Sequence, residues 1–141
     1  MTQAIRTLDA LRAFFASAPF MVDLGIEPVD CGEGRVVTAL ALAPRHRQHT
    51  GVVHAGVVGA MADHTMGAAA QTMAAEGHWV LTAEYKVSLL RAARGQRLEC
   101  AGVVIKPGRQ VSFTEAEVFA IDGDARTLVA RASATMAVVK A

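Results

Sequence analysis

The stretch that decides the fold runs from residue 52 to residue 75 and reads VVHAGVVGAMADHTMGAAAQTMAA. It is long and apolar enough to resemble a membrane span. Four polar residues interrupt it: His54, Asp63, His64 and Gln71. No cluster of Lys or Arg lies at its ends, and an aspartate in mid-bilayer is costly, so we expect no membrane span. A helix that is apolar on all sides belongs in a protein core, which predicts a buried helix from about Gly56 to Glu76, with Gly77 as its stop.

The residues around this helix predict a sheet. Apolar residues at helical spacing predict a short amphipathic helix over about residues 5–17, ending before Pro19. Extended segments are predicted near residues 25–31 and 35–43, and a polar turn follows them. After the long helix, apolar residues recur at every second position, which is typical of a β-strand. One face of the predicted strand carries Trp79, Leu81, Ala83, Tyr85, Val87 and Leu89, and the other carries Thr82, Glu84, Lys86 and Ser88.

Three further strands are predicted at residues 98–106, 109–121 and 127–139, with turns at Gly95, Gly108 and Gly123. Short turns predict an antiparallel meander of the last four strands. The strand after Arg109 loses its alternation near Glu115, which predicts a bulge or a change of buried face. The long helix must lie against one face of a sheet that curves round it, which predicts an α+β fold in one domain, residues 1–141. One curved sheet would leave part of this helix uncovered, and pairing of two subunits would cover it.

The composition also indicates an oligomer. The 141 residues are 52% hydrophobic but only 5% aromatic, so the apolar excess consists of small aliphatic side chains. Such an excess indicates surface that is buried a second time, in an oligomer or against an apolar ligand. The formal net charge is +1 and there is no run of basic residues, so the sequence lacks the basic surface expected of a nucleic-acid-binding protein. Cys31 and Cys100 lie in apolar surroundings and are expected to be buried free thiols in a reducing cytoplasm.

Asp63 is the residue that fits the long helix least. Burial of an unpartnered carboxylate is costly, so such a residue is paired, reaches water or is functional. At the helix start, His54-Ala55-Gly56 leaves the first N–H groups free, and with the helix dipole they favour a carbonyl oxygen that gains negative charge. Asp63 lies about 10 Å further along the helix, too far for one carbonyl to contact both. In a two-fold dimer, Asp63 of one chain can face the helix start of the other, which suits acyl transfer.

The same residues carry a resemblance to a known family. Gly51-x-x-His54-Ala55-Gly56, with Asp63 seven residues later, resembles the signature of hotdog-fold acyl-CoA thioesterases of the phenylacetate-degradation (PaaI-like) group. The strand from Thr82 to Arg91 and the turns at Gly95 and at residues 106–109 match the layout of that group over about residues 20–139. The resemblance implies a hotdog fold, a curved antiparallel sheet wrapped around a long central helix. It also implies hydrolysis of acyl-CoA without a metal or other cofactor, in a homodimer or homotetramer.

The resemblance further implies roles for individual residues. Asp63 would activate water as a general base or attack the thioester carbonyl as a nucleophile, and both roles stay open. The backbone N–H of Ala55 would polarise that carbonyl, and His54 would orient the thioester. Gln48 and Thr82 would position the substrate or the water. Gly56, Arg91 and Arg109 are assigned to substrate binding, the two arginines through the phosphates of coenzyme A, unless they are simply solvated surface charges.

Two departures and three alternatives accompany this interpretation. The family usually has glycine at the position of Ala55, so the methyl group of this alanine leaves less room for the thioester. The second departure is His64, which has no assigned role. A hotdog enoyl-CoA hydratase or dehydratase would share the fold, and a non-catalytic acyl-CoA-binding module would show no turnover. A metal-binding protein could draw its ligands from His46, His49, His54, Asp63 and His64, although their spacing matches no tight zinc pattern. Aromatic and medium-chain acyl groups both fit the small side chains of the helix.

Overall fold

The computed structural model describes residues 5–141 of the chain. Its elements are the helices α1 (Leu8–Ala16), α2 (Pro19–Leu24) and α3 (Ala55–Gln71), a 3-10 turn (Pro44–His46), and the strands β1 (Glu27–Gly32), β2 (Arg35–Ala41), β3 (His78–Leu89), β4 (Arg97–Lys106), β5 (Val111–Asp122) and β6 (Ala125–Lys140). The predicted N-terminal helix is confirmed but shorter, since the Thr7 hydroxyl caps it by accepting from the N–H of Ala10 at 3.1 Å. α2 is not predicted from the sequence; it begins at Pro19, because proline fits the first position of a helix.

The six strands form one antiparallel sheet in the order β1-β2-β4-β5-β6-β3. α3 lies against one face of this sheet and contacts every strand from β2 to β6. The side chains between them form the core, whose largest fully buried hydrophobic members are Leu11, Leu40, Met61, Met66, Leu98 and Met136. A curved antiparallel sheet around one long helix is the hotdog architecture, so the predicted α+β hotdog fold is confirmed.

The last four strands do not form the predicted meander. β4, β5 and β6 are neighbours, but β3 pairs with β6 at the edge of the sheet, and β4 pairs with β2. The reason is that Gly95 does not form a hairpin turn; it belongs to a longer connection, residues 90–96. Within this connection Ala93 is buried, and its carbonyl accepts a hydrogen bond from the N–H of Val53 at 3.0 Å. The connection therefore lies against the segment that leads into α3.

β3 contains a bulge that the sequence does not predict. In its pairing with β6, Thr82 lies opposite Met136 and Glu84 opposite Thr135, so Ala83 has no cross-strand partner. A bulge of this kind shifts the alternation of side chains by one residue. The side chains of β3 that face the helix are therefore at different alternate positions before and after Ala83.

The bulge corrects the predicted faces of β3. Directly paired residues share a face of the sheet, so the partners of the buried β6 residues face α3. These helix-facing residues are even-numbered before the bulge and odd-numbered after it: Val80, Thr82, Tyr85, Val87 and Leu89. The prediction is wrong for Leu81, which is exposed on the outer face of the sheet, whereas the Trp79 ring at the start of β3 stacks on Phe14 of α1 at 6.1 Å between centroids.

β5 alternates without the predicted break. Its buried residues follow one another at every second position: Ser112, Thr114, Ala116, Val118 and Ala120. Glu115 is exposed on the other face, so the bulge expected there is wrong; the irregularity lies between Val118 and Phe119. The sequence misleads at this point because two of the inward positions are hydroxyl side chains, which hide the apolar alternation.

α3 ends at Gln71, five residues before the predicted end. Two polar side chains tie down this terminus. The Gln71 carboxamide accepts from the N–H of Val80 at 2.9 Å and donates to the carbonyl of His78 at 3.0 Å. The Thr72 hydroxyl donates to the carbonyl of Ala69 at 2.7 Å. Gly77, with φ +79°, instead makes the turn into β3.

A stripe along α3 is not covered by the sheet. Its residues recur at helical spacing and are exposed or half-buried: Gly56, Ala60, Asp63 and Gly67. The expected incomplete cover of the helix is therefore present in the single chain. Among residues 5–141, no helix is long and apolar enough to cross a membrane.

The two cysteines are free thiols, as predicted. Cys100 is fully buried on β4, and burial raises the pKa of its thiol to about 12. Cys31 is only half-buried, because it lies on β1, which is an edge strand of the sheet.

The helix approaches the sheet closely at Gly102 on β4. A Cβ atom built there would lie 3.0 Å from Thr65 Cγ2 and 3.1 Å from the Thr65 carbonyl oxygen. Thr65 has little freedom to move, because its hydroxyl donates to the carbonyl of Met61 at 2.6 Å and contacts the Thr38 hydroxyl at 2.7 Å. A glycine on the strand therefore sets the distance between α3 and the sheet.

We expect Gly102→Ala to lower the free energy of unfolding by about 1–3 kcal/mol, because the added methyl group pushes α3 from the sheet. Gly32→Ala is the matched control, since this strand residue lies away from α3 and a Cβ there meets only the flexible Arg35 side chain at 3.7 Å. This control should be neutral or stabilising by up to about 1 kcal/mol. Urea unfolding of both variants checks the prediction, and equal effects would contradict it.

Candidate active site

The start of α3 presents one free backbone donor. His54 caps the helix, because its Nδ1 accepts from the N–H of Gly56 at 2.8 Å. The His54 carbonyl accepts from the N–H groups of Val57 at 3.0 Å and Val58 at 3.3 Å. No group in residues 5–141 accepts a hydrogen bond from the N–H of Ala55. This donor therefore stands free at the positive end of the helix dipole.

The cap defines the state of the His54 ring. An Nδ1 that accepts a hydrogen bond carries no hydrogen, so the hydrogen of the neutral ring is on Nε2. Gly56, predicted to bind substrate, has its N–H committed to this cap. The helix start thus offers the N–H of Ala55 rather than that of Gly56.

A cavity of about 560 Å³ opens at the start of α3, a size suited to a small-molecule ligand. Its lining includes four of the predicted site residues: Gln48, His54, Ala55 and Arg91. The Gln48 Oε1 accepts from the N–H of Thr50 at 2.6 Å, which fixes its carboxamide in the loop. An Arg91 terminal nitrogen (Nη1) donates to the carbonyl of Leu128 at 3.0 Å, so its guanidinium is held at the cavity wall.

Asp63 is paired with Thr82. The Thr82 hydroxyl donates to Asp63 Oδ1 at 2.7 Å, and no group in residues 5–141 bonds to Oδ2. Thr82 reaches the acid because the bulge at Ala83 keeps it on the helix-facing side of β3. The carboxylate is half-buried and has one oxygen fixed and one open.

The predicted residues form two groups in the single chain. The cavity at the helix start contains Gln48, His54, Ala55 and Arg91, but neither Asp63 nor Thr82 lines it. The separation follows from the helix, since Asp63 lies eight residues after Ala55, which corresponds to about 12 Å. Each group lacks what the other supplies: a hydrogen-bond donor for an oxyanion at one end, and a carboxylate at the other.

Arg109 lies apart from both groups. It is exposed in the turn between β4 and β5, whereas the connection that carries Arg91 leads into the first residue of β4. The ten residues of β4 separate these two ends of the sheet by about 30 Å. The two arginines of one chain therefore do not lie beside the same cavity.

The histidines do not come together as a metal-binding protein would require. His46 is buried, with Nδ1 accepting from the N–H of Ala43 at 2.9 Å and Nε2 donating to the carbonyl of Leu24 at 2.7 Å. The cap occupies Nδ1 of His54. Within residues 5–141, no group of three or more His, Cys, Asp or Glu side chains is placed to hold a metal ion.

His64, for which the sequence suggests no role, packs against α1. Its ring lies edge-on to Phe15 at 4.5 Å between centroids and stacked with Phe14 at 6.0 Å. Its Nε2 is buried and has no hydrogen-bond partner among residues 5–141. Burial lowers the pKa of His64, and the neighbouring Asp63 charge opposes this shift in part. The neutral ring therefore acts as part of the apolar contact between α1 and α3.

We expect the stability of the fold to depend on the protonation of His64. In the unfolded chain the ring binds a proton near pH 6.5, whereas the folded chain holds it neutral to lower pH. The free energy of unfolding should therefore fall as the pH is lowered from 7.5 through about 6.5 toward 5. His64→Phe keeps the aromatic contact but cannot titrate, so its free energy of unfolding should fall less over this range. Urea unfolding at each pH measures the difference, and parallel pH profiles would contradict it.

Sequence reasoning misses Tyr85 beside the site, whereas Gly59 is one of the small helix residues expected to leave room for an acyl group. Gly59 and Tyr85 meet in the groove between α3 and β3: a Cβ atom built on Gly59 would lie 3.7 Å from the Tyr85 hydroxyl oxygen. The predicted alternation places Tyr85 and Thr82 on opposite faces of the strand, and the bulge at Ala83 brings them to the same face. The single tyrosine of the chain in a mostly aliphatic sequence is the one signal that could have drawn attention to it.

Comparison with known proteins identifies the family and the fold. The sequence profile of the thioesterase superfamily matches residues 50–127. A thioesterase family protein from Silicibacter pomeroyi is 31% identical, with a TM-score of 0.90 over 93% of this chain and 96% of that chain. A thioesterase from Haemophilus influenzae shares the fold at 23% identity, with a TM-score of 0.85 over 95% of this chain and 91% of that one. The PaaI protein from the phenylacetic acid degradation operon of E. coli shares it at 17% identity, with a TM-score of 0.78 over 89% and 87%. No curated protein matches the chain.

Proposed function

We propose that this chain, which belongs to the thioesterase superfamily, hydrolyses acyl-CoA thioesters to the free acid and coenzyme A. The proposal places the reaction at two equivalent sites of a homodimer, each built from the start of α3 in one subunit and Asp63 of the other. The observation that carries it is the free N–H of Ala55 at the start of α3, beside a cavity. A donor at this position suits an oxygen that gains negative charge during attack on a carbonyl.

The separation of the two groups supports the dimer. Asp63 and Ala55 lie on the same helix about 12 Å apart, so they cannot flank one carbonyl within a subunit. The uncovered stripe of α3 is made of small residues around Asp63, which would allow a second subunit to approach closely. A two-fold axis would then complete both sites at once. Pairing of two such dimers into a homotetramer is compatible with this arrangement.

In the proposed reaction the thioester oxygen accepts a hydrogen bond from the N–H of Ala55. If Asp63 acts as general base, it takes a proton from water while the water oxygen bonds to the carbonyl carbon. If it acts as nucleophile, its carboxylate bonds to that carbon and forms an anhydride, which water then opens. On either route the C–S bond breaks, the electron pair leaves with sulfur, and the thiolate of coenzyme A takes up a proton. Solvent oxygen enters the Asp63 carboxylate in a single turnover only on the anhydride route, and there only when water attacks the Asp63 carbonyl carbon rather than the substrate carbonyl carbon.

The remaining residues have supporting roles in this proposal. Thr82 holds one oxygen of Asp63, so that the free oxygen points to the water or the carbonyl carbon. His54 keeps the helix start in shape through its cap, and its Nε2–H and the Gln48 carboxamide orient the thioester. Arg91 at the cavity wall binds a phosphate of coenzyme A. Arg109 would contact the same coenzyme A from another subunit, because it lies at the other end of the sheet.

We expect Asp63→Asn to lower kcat for acyl-CoA hydrolysis by about 10²–10⁴-fold, because the amide neither takes up a proton nor attacks the carbonyl. The asparagine oxygen still accepts the Thr82 hydrogen bond, so the fold should be retained. Release of free thiol from a panel of acyl-CoAs measures the effect. Glu84→Gln, on the outer face of β3, is the matched control and should keep wild-type turnover. Equal turnover by Asp63→Asn and wild type would refute the role of Asp63, and hydration of an enoyl-CoA without thiol release would refute the thioesterase.

We expect Ala55→Pro to lower kcat by about 10²–10³-fold, because proline has no N–H to donate to the oxyanion. Proline is well tolerated at the first position of a helix. The preceding residue, His54, already has the extended backbone that proline requires, with φ −62° and ψ 136°. The helix should therefore form as in the wild type.

Ala55→Gly is the matched variant for this test, since it retains the N–H and removes the methyl group. It should keep or raise turnover, whereas Ala55→Pro should lose it at unchanged thermal stability. Steady-state kinetics of the two variants and their melting temperatures decide the matter. A proline variant with wild-type kcat would show that this N–H does not polarise the carbonyl.

A further inference from the structure

The groove between α3 and β3 carries one row of residues. Helix residues four apart share a face, so Ala55, Gly59 and Asp63 lie one after another along the side of α3 that borders the groove. β3 runs beside this row, with Thr82 bonded to Asp63 and the Tyr85 ring against Gly59. Tyr85 therefore stands midway between the free N–H at the helix start and the carboxylate.

The Tyr85 ring lies beside Gly59, with room for one methyl group between the ring and the helix backbone. A Cβ atom built on Gly59 would lie 3.7 Å from the Tyr85 hydroxyl oxygen and 3.9 Å from its Cε2, which is ordinary van der Waals contact. The ring is still 49% exposed, because β3 is the edge strand of the sheet. A large aromatic surface thus remains open beside the row.

Two-fold symmetry places this surface between the two proposed sites. If Asp63 of each subunit faces Ala55 of the other, the lines from residue 55 to residue 63 in the two subunits run in opposite directions and share a midpoint. That midpoint is Gly59, so the two-fold axis passes close to it. The Tyr85 ring that packs on Gly59 and its copy in the second subunit then lie near the axis, and each site lies about 6 Å away along the helix.

We infer that Tyr85 forms the inner wall of the acyl pocket and selects short acyl groups over long straight chains. This inference rests on the proposed thioesterase function and its dimer. An acyl chain that extends from the carbonyl site along the row meets the ring after about four helical residues. The backbone of α3 lies directly behind the ring, so the ring does not move aside into the helix. Tyr85 is in this view a specificity-determining residue and takes no part in proton transfer.

The test compares kcat/KM for straight-chain acyl-CoAs from acetyl to palmitoyl. For Tyr85→Ala we expect the ratio of long-chain to short-chain kcat/KM to rise about tenfold or more, because the wall is removed. Tyr85→Phe keeps the ring and should keep the wild-type profile. Tyr85→Trp enlarges the ring and should shift the preference to shorter chains. Lys86→Ala is the matched control on the outer face of the same strand and should leave the profile unchanged.

The outcomes separate this inference from the function on which it rests. A wild-type enzyme that hydrolyses acyl-CoA, with an unchanged chain-length profile in Tyr85→Ala, overturns the role of Tyr85 and leaves the thioesterase intact. A wild-type protein that releases no thiol from any acyl-CoA overturns both. If Tyr85→Ala fails to fold, Tyr85→Trp decides, since a wild-type profile in that variant also overturns the inference.

Discussion

The contact between α3 and β4 is the constraint on which the rest of the structure depends. Gly102 lets the helix approach so closely that the backbone of Thr65 would meet any added carbon at 3.1 Å. A helix with no polar face can be held at this distance only if the sheet curves round it. The small side chains of the helix and of the facing strands follow from this requirement. The low aromatic content is thus a consequence of packing distance.

The polar groups of the site are arranged so that little is left unsatisfied within one chain. His54 satisfies the N–H of Gly56, and Thr82 satisfies one oxygen of Asp63. What remains free is one N–H at the helix start and one carboxylate oxygen further along the same helix. These are the two groups that addition to a carbonyl needs, and the length of the helix keeps them apart in one subunit. The division of the site therefore arises from helix geometry.

Hydrophobic periodicity is a local signal, so the sequence predicts the central helix and most strand bounds, while the hotdog fold follows from the resemblance carried by residues 51–56 and Asp63. The sequence also draws attention to Asp63, since a carboxylate stands out in an apolar helix. Strand pairing is less accessible: Gly95 looks like a hairpin turn, and the course of the connection depends on tertiary hydrogen bonds, such as those from Val53 to Ala93 and from Arg47 to Gly95. The bulge at Ala83 leaves no mark in the sequence, because it depends on how β3 aligns with β6. Tyr85 was missed for that reason.

β3 leaves twelve residues of strand at an open edge of the sheet. The free N–H and C=O groups of such an edge are a template for any extended chain, which is a common origin of aggregation. An isolated subunit leaves this template uncovered, whereas in the proposed dimer a partner lying along β3 would cover it. Because Thr82 lies on the same strand and bonds to Asp63, a substitution in β3 would act on both the solubility of the isolated subunit and the proposed site.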